Sequence, residues 1–200
     1  VNTPSAIVLG GGRSTRYGRD KVTAPWADST LLQQVLTAIP MQRREVLLVL
    51  REDQTDTCPG IDRVVRDDPA APDGPLRGVV AGLRATTSAW NWILGCDLPR
   101  LRPPMLELLM DHAHDGVDAV VFRHGGHPEP LVAAYARGCL DPFERALASG
   151  EVAPRRALRQ VRAHWIDEDV WRSVDPDGET FLNVNTPIDP RRASGTEDLR

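Results

Sequence analysis

The stretch from residue 6 to residue 21, Ala-Ile-Val-Leu-Gly-Gly-Gly-Arg-Ser-Thr-Arg-Tyr-Gly-Arg-Asp-Lys, constrains this chain more than any other. Its first four residues form a short apolar run closed by a glycine cluster, the pattern of a buried strand. Gly10, Gly11 and Gly12 remove every Cβ where the chain leaves the sheet, so their backbone N–H groups can close on an anion. Arg13, Arg16, Arg19 and Lys21 follow within the reach of one loop, with Asp20 the only acid among them. Fixed positive charge of this density suits a polyphosphate.

Two familiar phosphate loops are excluded by spacing. A Walker loop needs lysine directly after its last glycine, and here Gly18 is followed by Arg19. A dinucleotide fingerprint needs a third glycine where this chain has Thr15. The pattern that is met is Leu-x-Gly-Gly-x-Ser-x-Arg-x-Gly-x-Asp-Lys, by Leu9, Gly11, Gly12, Ser14, Arg16, Gly18, Asp20 and Lys21. It resembles the nucleotidyltransferases of the molybdenum cofactor guanylyltransferase family, the MobA-like NTP transferases. The plain alternative is a glycine-rich connection with a solvated basic face.

Two hundred residues fit one domain with a sizeable core. We expect it to span 1–189, with a flexible charged tail over 190–200. A net charge of −4 argues against a nucleic-acid or membrane-surface binder, so the basic loop is a local feature aimed at a small anion. Cys58, Cys96 and Cys139 are far apart and make no Cys-x-x-Cys, which disfavours a disulfide framework or a structural zinc and fits the cytoplasm. No apolar run approaches membrane-spanning length, and no signal-peptide pattern opens the chain.

Further along, Asp28-Ser29-Thr30 caps a helix over 31–39, and 45–50 is apolar throughout, as in a strand covered on both faces. A third strand is expected at 61–66, a helix from 76 to about 86, a strand at 92–94 and a helix opened by Pro103-Pro104. Residues 119–122 read as a fifth strand, broken by His124-Gly125-Gly126-His127-Pro128. Residues 129–136 read as a strand that need not run parallel to the rest. Helices are expected over 140–148 and 154–161, a returning strand at 164–166 and a strand-loop over 181–187. This alternation predicts an α/β fold, three layers α/β/α around a mostly parallel sheet, with a Rossmann-like nucleotide-binding half. Right-handed crossovers then gather loops 10–21, 67–78 and 97–99 at one edge.

Asp97 follows an apolar strand, where a carboxylate can ligate a divalent ion between phosphates or cap a turn. Asp67 or Asp68 precedes Gly74-Pro75-Leu76-Arg77-Gly78, small residues that let a base or ribose approach; either aspartate can also serve the turn before Pro69. His124 and His127 lack a third metal ligand and read as a polar turn.

The resemblance implies more. It makes the fold nucleotide-diphospho-sugar transferase-like and the reaction a transfer of GMP from GTP to the terminal phosphate of molybdopterin, with Mg²⁺ on Asp97. It places Leu9, Gly10, Gly11, Gly12, Lys21, Asp67 and Asp97 on the nucleotide, with Arg16, Lys21 and Asp97 catalytic. Asn183 and Asn185, in an Asn-x-Asn-Thr-Pro segment, fall on the acceptor side, or simply build a turn. Arg155 and Arg156 match loosely and read better as a solvated helix face. Two departures stand out: Gly10 where alanine is common, and Val49-Leu50-Arg51 without the asparagine some members place there for the nucleotide. The second leaves CTP open as the donor. Another phosphorylated acceptor, a silent nucleotide-binding delivery protein, and transient contact with a cofactor-receiving enzyme stay open too.

Overall fold

Period-two alternation along the apolar runs sends successive side chains to opposite faces of a sheet. The computed structural model, which describes residues 3–11, 21–55 and 57–184 (Lys21 by its backbone), shows both faces covered. Its strands are β1 (Ser5–Leu9), β2 (Pro25–Trp26), β3 (Ser29–Thr30), β4 (Val46–Leu50), β5 (Arg63–Arg66), β6 (Trp90–Gly95), β7 (Ala119–His124), β8 (His127–Ala136) and β9 (Ala163–Ile166). Its α-helices are α1 (Leu31–Ala38), α2 (Pro75–Ala85), α3 (Pro103–Asp111), α4 (Leu140–Ala148), α5 (Pro154–Ala157) and α6 (Glu168–Trp171).

The main sheet has seven strands in the order β5-β4-β1-β6-β8-β7-β9, and among the described residues only β8 runs against the others. Ala6, Val8, Leu48, Leu50, Trp92 and Leu94 pack on one face with Leu32 and Val35 of α1 and Met105 and Leu109 of α3. Ile7, Leu47, Val49 and Ile93 pack on the other with Leu76, Val79 and Leu83 of α2 and Phe143 of α4. The result is the expected three-layer α/β/α arrangement.

Several boundaries differ from the expectation, each for a local reason. The break at 124–128 is a tight hairpin: β7 continues to His124 and β8 starts at His127, because Gly125 and Gly126 both take positive φ, 57° and 77°. Two such residues match the twist of the flanking strands. Residues 181–184 carry no strand; a 3-10 turn, Glu179–Phe181, ends there, its first two N–H groups held by Asp175. The helix expected over 154–161 is α5 followed by a 3-10 turn, Leu158–Gln160. β2, β3 and α6 were not anticipated, and residues 190–200 lie outside the described residues.

Glycine sets how closely α2 lies on β1. A Cβ at Gly78 would stand 3.4 Å from Leu9 Cδ2, and one at Gly82 would collide with the side chain of Ile7, which is fully buried and has nowhere to move. Gly82→Ala gains about 1 kcal/mol of helix propensity and loses about 1–3 kcal/mol to overpacking. We expect the loss to win, lowering the urea midpoint at unchanged m-value; a raised midpoint would contradict the packing.

Candidate active site

Parallel strands β1, β4, β5 and β6 deliver their C-terminal ends to one edge, where loops of open α/β sheets hold ligands. A cavity of about 330 Å³ opens there, lined by Leu9, Gly11, Asp67, Gly78, Gly95 and Asp97 among others. The Cys96 N–H donates to the Leu9 carbonyl at 3.2 Å, tying the end of β6 to the end of β1.

The glycine loop begins differently from the expectation. Gly10 donates its N–H to Val49 at 2.9 Å, continuing the β1–β4 ladder one residue further, so this N–H is not offered to an anion. Its carbonyl accepts Gln54 Nε2 at 3.2 Å, and a Cβ on it would stand 2.7 Å from both Leu50 Cδ2 and Val22 Cγ2. Gly10 is a packing glycine. Val22, in the 3-10 turn Lys21–Thr23, packs its side chain against Gly10. Gly12, Arg16 and Asn185 lie outside the described residues, as does the side chain of Lys21.

Asp97 is half-buried at the cavity edge. Its Oδ1 folds over Gly95, where a Cβ would stand only 2.7 Å away. Its backbone carbonyl accepts the Val184 N–H at 3.1 Å, which draws the segment carrying exposed Asn183 to this edge. A carboxylate oxygen at a cavity mouth fits a hard divalent ion. Among the described residues no group of three or more His, Cys, Asp or Glu could hold a metal.

Asp67 and Asp68 separate cleanly. Asp68 Oδ1 accepts the Ala70 N–H at 2.9 Å, a turn contact. Asp67, 5% exposed, lines the cavity; its Oδ2 accepts Arg77 Nε at 2.9 Å and its Oδ1 has no partner among the described residues. Burial pushes its carboxyl above the ordinary range, although the guanidinium of Arg77 and the charge of Arg51 pull it down. Gly74 is needed for close approach: a Cβ there would meet Val152 Cβ at 2.6 Å and its carbonyl oxygen at 2.9 Å.

Sequence reasoning missed two residues here. Gln54 is buried, accepts the Arg51 N–H at 2.9 Å and braces Gly10; nothing in its polar loop marks it. Arg77 is buried too, and the one hint was a cation in a first helical turn, where the dipole disfavours it. On the far half, Leu131 of β8 reaches the cavity, and the Tyr135 hydroxyl donates to the Pro130 carbonyl at 2.8 Å. His124 stacks on Phe181 with centroids 4.7 Å apart, serving the hairpin as a packed ring. Arg155 and Arg156 are exposed on α5, as a solvated face requires.

An open α/β sheet with glycine after its first strand and three carboxylates, Asp67, Asp73 and Asp97, on one edge cavity is an arrangement suited to a nucleotide-handling domain. Residues 6–166 match the family model of the MobA-like NTP transferase domain, and the chain belongs to that family; it is a nucleotidyltransferase. It is 32% identical, over 92% of its length and 90% of the relative's, to a probable molybdenum cofactor guanylyltransferase of Chloroflexus aggregans. It is 33% identical to the molybdenum cofactor guanylyltransferase of Pseudomonas putida, over 77% of this chain and 81% of that one. Among solved structures, the molybdopterin-guanine dinucleotide biosynthesis protein A of Archaeoglobus fulgidus superposes with a TM-score of 0.77 at 27% identity, over 94% of this chain and 96% of that one. A 2-C-methyl-D-erythritol 4-phosphate cytidylyltransferase of Thermus thermophilus shares the fold alone: TM-score 0.68, 15% identity, 96% and 97% coverage.

Proposed function

We propose that this chain transfers GMP from GTP to the terminal phosphate of molybdopterin, forming the guanine dinucleotide cofactor and releasing pyrophosphate. The observation that carries this is the joint lining of one cavity by Gly11, Asp67 and Asp97, in a chain akin to guanylyltransferases over nearly its whole length. An acceptor phosphate oxygen attacks the α-phosphorus, a new P–O–P bond forms, and the α–β bond breaks as pyrophosphate leaves. The nucleophile is already ionised, so positioning and charge neutralisation dominate over base catalysis. Gly11 and Gly12 offer N–H groups to the triphosphate, and Arg16 and Lys21 hold it and the departing pyrophosphate. Asp67 accepts from the nucleoside. Asp97 holds Mg²⁺, which when bound neutralises phosphate charge. Asn183 and Asn185 face the acceptor, the 1–189 segment acts as one unit, and the enzyme works in the cytoplasm, where its three free thiols stay reduced.

The test is pyrophosphate release by protein, Mg²⁺ and molybdopterin with each nucleoside triphosphate in turn. GTP is expected to support it, and Lys21→Ala to lower it by about 10²-fold or more with an unchanged circular dichroism spectrum. Release with CTP but not GTP would make this a cytidylyltransferase, an outcome the arginine at position 51 makes worth the arm. Nucleotide binding without release on any acceptor would make it a delivery protein.

A further inference from the structure

Arg77 is the third residue of α2, where the helix dipole opposes a cation, and it is only 7% exposed. Both facts cost free energy unless partners compensate. The partners all belong to one short stretch. Nε donates to Asp67 Oδ2 at 2.9 Å, Nη1 reaches the Ala71 carbonyl at 3.4 Å, and Nη2 lies 3.2 Å from Asp73 Oδ1. One guanidinium therefore touches the start, middle and end of the connection from β5 to α2. Asp67 and Asp73 also line the cavity. Asp67 Oδ1 is left buried with no partner among the described residues, an arrangement that is costly unless a ligand satisfies it.

We propose that Arg77 is a positioning residue for the nucleotide: by gripping Asp67 Oδ2 and Asp73 together, it leaves Asp67 Oδ1 as the acceptor for an N–H or O–H donor of the bound nucleotide. A carboxylate repels phosphate, so the donor belongs to the ribose or the base. The inference rests on the nucleotide reading above and adds a residue to it.

GTP binding is measured by calorimetry for the wild-type protein, Arg77→Ala, Arg77→Lys, Asp67→Asn and the Arg77→Ala/Asp67→Asn pair. Arg77→Ala is expected to weaken GTP about tenfold or more, raising KM while turnover at saturating GTP stays within about threefold. Arg77→Lys keeps the charge but not the fork, and should fall between. In the Asp67→Asn background, Arg77→Ala should add less than about twofold, because both changes remove one interaction. The pH profile supplies a readout that a purely structural role would leave alone. Asp67 is raised by burial and by Asp73 and lowered by Arg77 and Arg51, so Arg77→Ala should move the pH below which GTP binding weakens upward, and Asp67→Asn should abolish that inflection. Additive losses with an unmoved inflection would overturn the proposal; should Arg77→Ala fail to fold, an Arg77→Lys profile identical to wild type would do so. GTP binding by the wild type that the Arg77 variants leave unchanged sinks this inference alone, whereas no GTP binding by the wild type sinks the substrate reading with it.

Discussion

Asp97→Asn is expected to lower kcat/KM for pyrophosphate release by about 10³-fold, corresponding to several kcal/mol of lost charge stabilisation. The substitution keeps the shape of the side chain and removes its charge. The backbone carbonyl of residue 97 still accepts the Val184 N–H, so the fold around it persists. Its half-buried side chain sits at a cavity mouth, where changes in stability stay near 0.5 kcal/mol. Gly95→Ala attacks the same group by geometry alone. Its new Cβ, 2.7 Å from Asp97 Oδ1, must displace the terminal carboxylate of a side chain rather than backbone. Misplacement on the scale of 1 Å can cost about 10²-fold in rate. Both variants should therefore melt like wild type, with Gly95→Ala partly rescued by higher Mg²⁺ and Asp97→Asn not. Activity of Asp97→Asn within tenfold of wild type would remove Asp97 from the role assigned to it.

That experiment separates what was legible in the sequence from what was not. Apolar runs report burial directly, so β1, β4 and β6, and the edge to which β6 carries Asp97, could be read from the sequence alone. Gly10 looked like a donor to a ligand because a sequence does not reveal where a parallel ladder ends. The Gly125-Gly126 pair carried a hairpin signal that the flanking histidines and proline obscured. Arg77 was hidden for a deeper reason. Local pattern scores it as an ordinary charged residue of a helix, and only the return of β5 beside α2 sets it against Asp67, ten positions earlier. The knot around Asp175 is more remote still, because Arg102 reaches it across seventy-three positions.

Asp175 carries the largest stability prediction. It is fully buried, with Oδ1 accepting the Glu179 N–H at 3.2 Å and Arg102 Nη1 at 3.3 Å, and Oδ2 accepting the Thr180 N–H at 2.9 Å. Burial alone would raise its carboxyl. The backbone and hydroxyl of Thr180, then Arg102 and the Glu179 N–H, outweigh burial and hold it below the usual range. Asp175→Ala leaves buried N–H groups and a guanidinium without their acceptor, a loss of about 3 kcal/mol or more. For a chain of this size that lowers Tm by roughly 6–12 °C. Asp175→Asn retains one acceptor oxygen and should lose less. The sign of the pH dependence follows from the lowered carboxyl. Its stabilisation is complete above the unfolded value, about 3.9, and is lost as pH falls through the lower folded one. The wild-type protein should therefore lose its margin over Asp175→Asn only in acid below about pH 4. Because the turn held by Asp175 leads into Asn183 and Val184, which hydrogen-bonds the backbone of Asp97, folded Asp175→Asn should also raise KM for the acceptor more than for GTP. Equal effects on both substrates would show that the knot braces the fold without shaping the acceptor side.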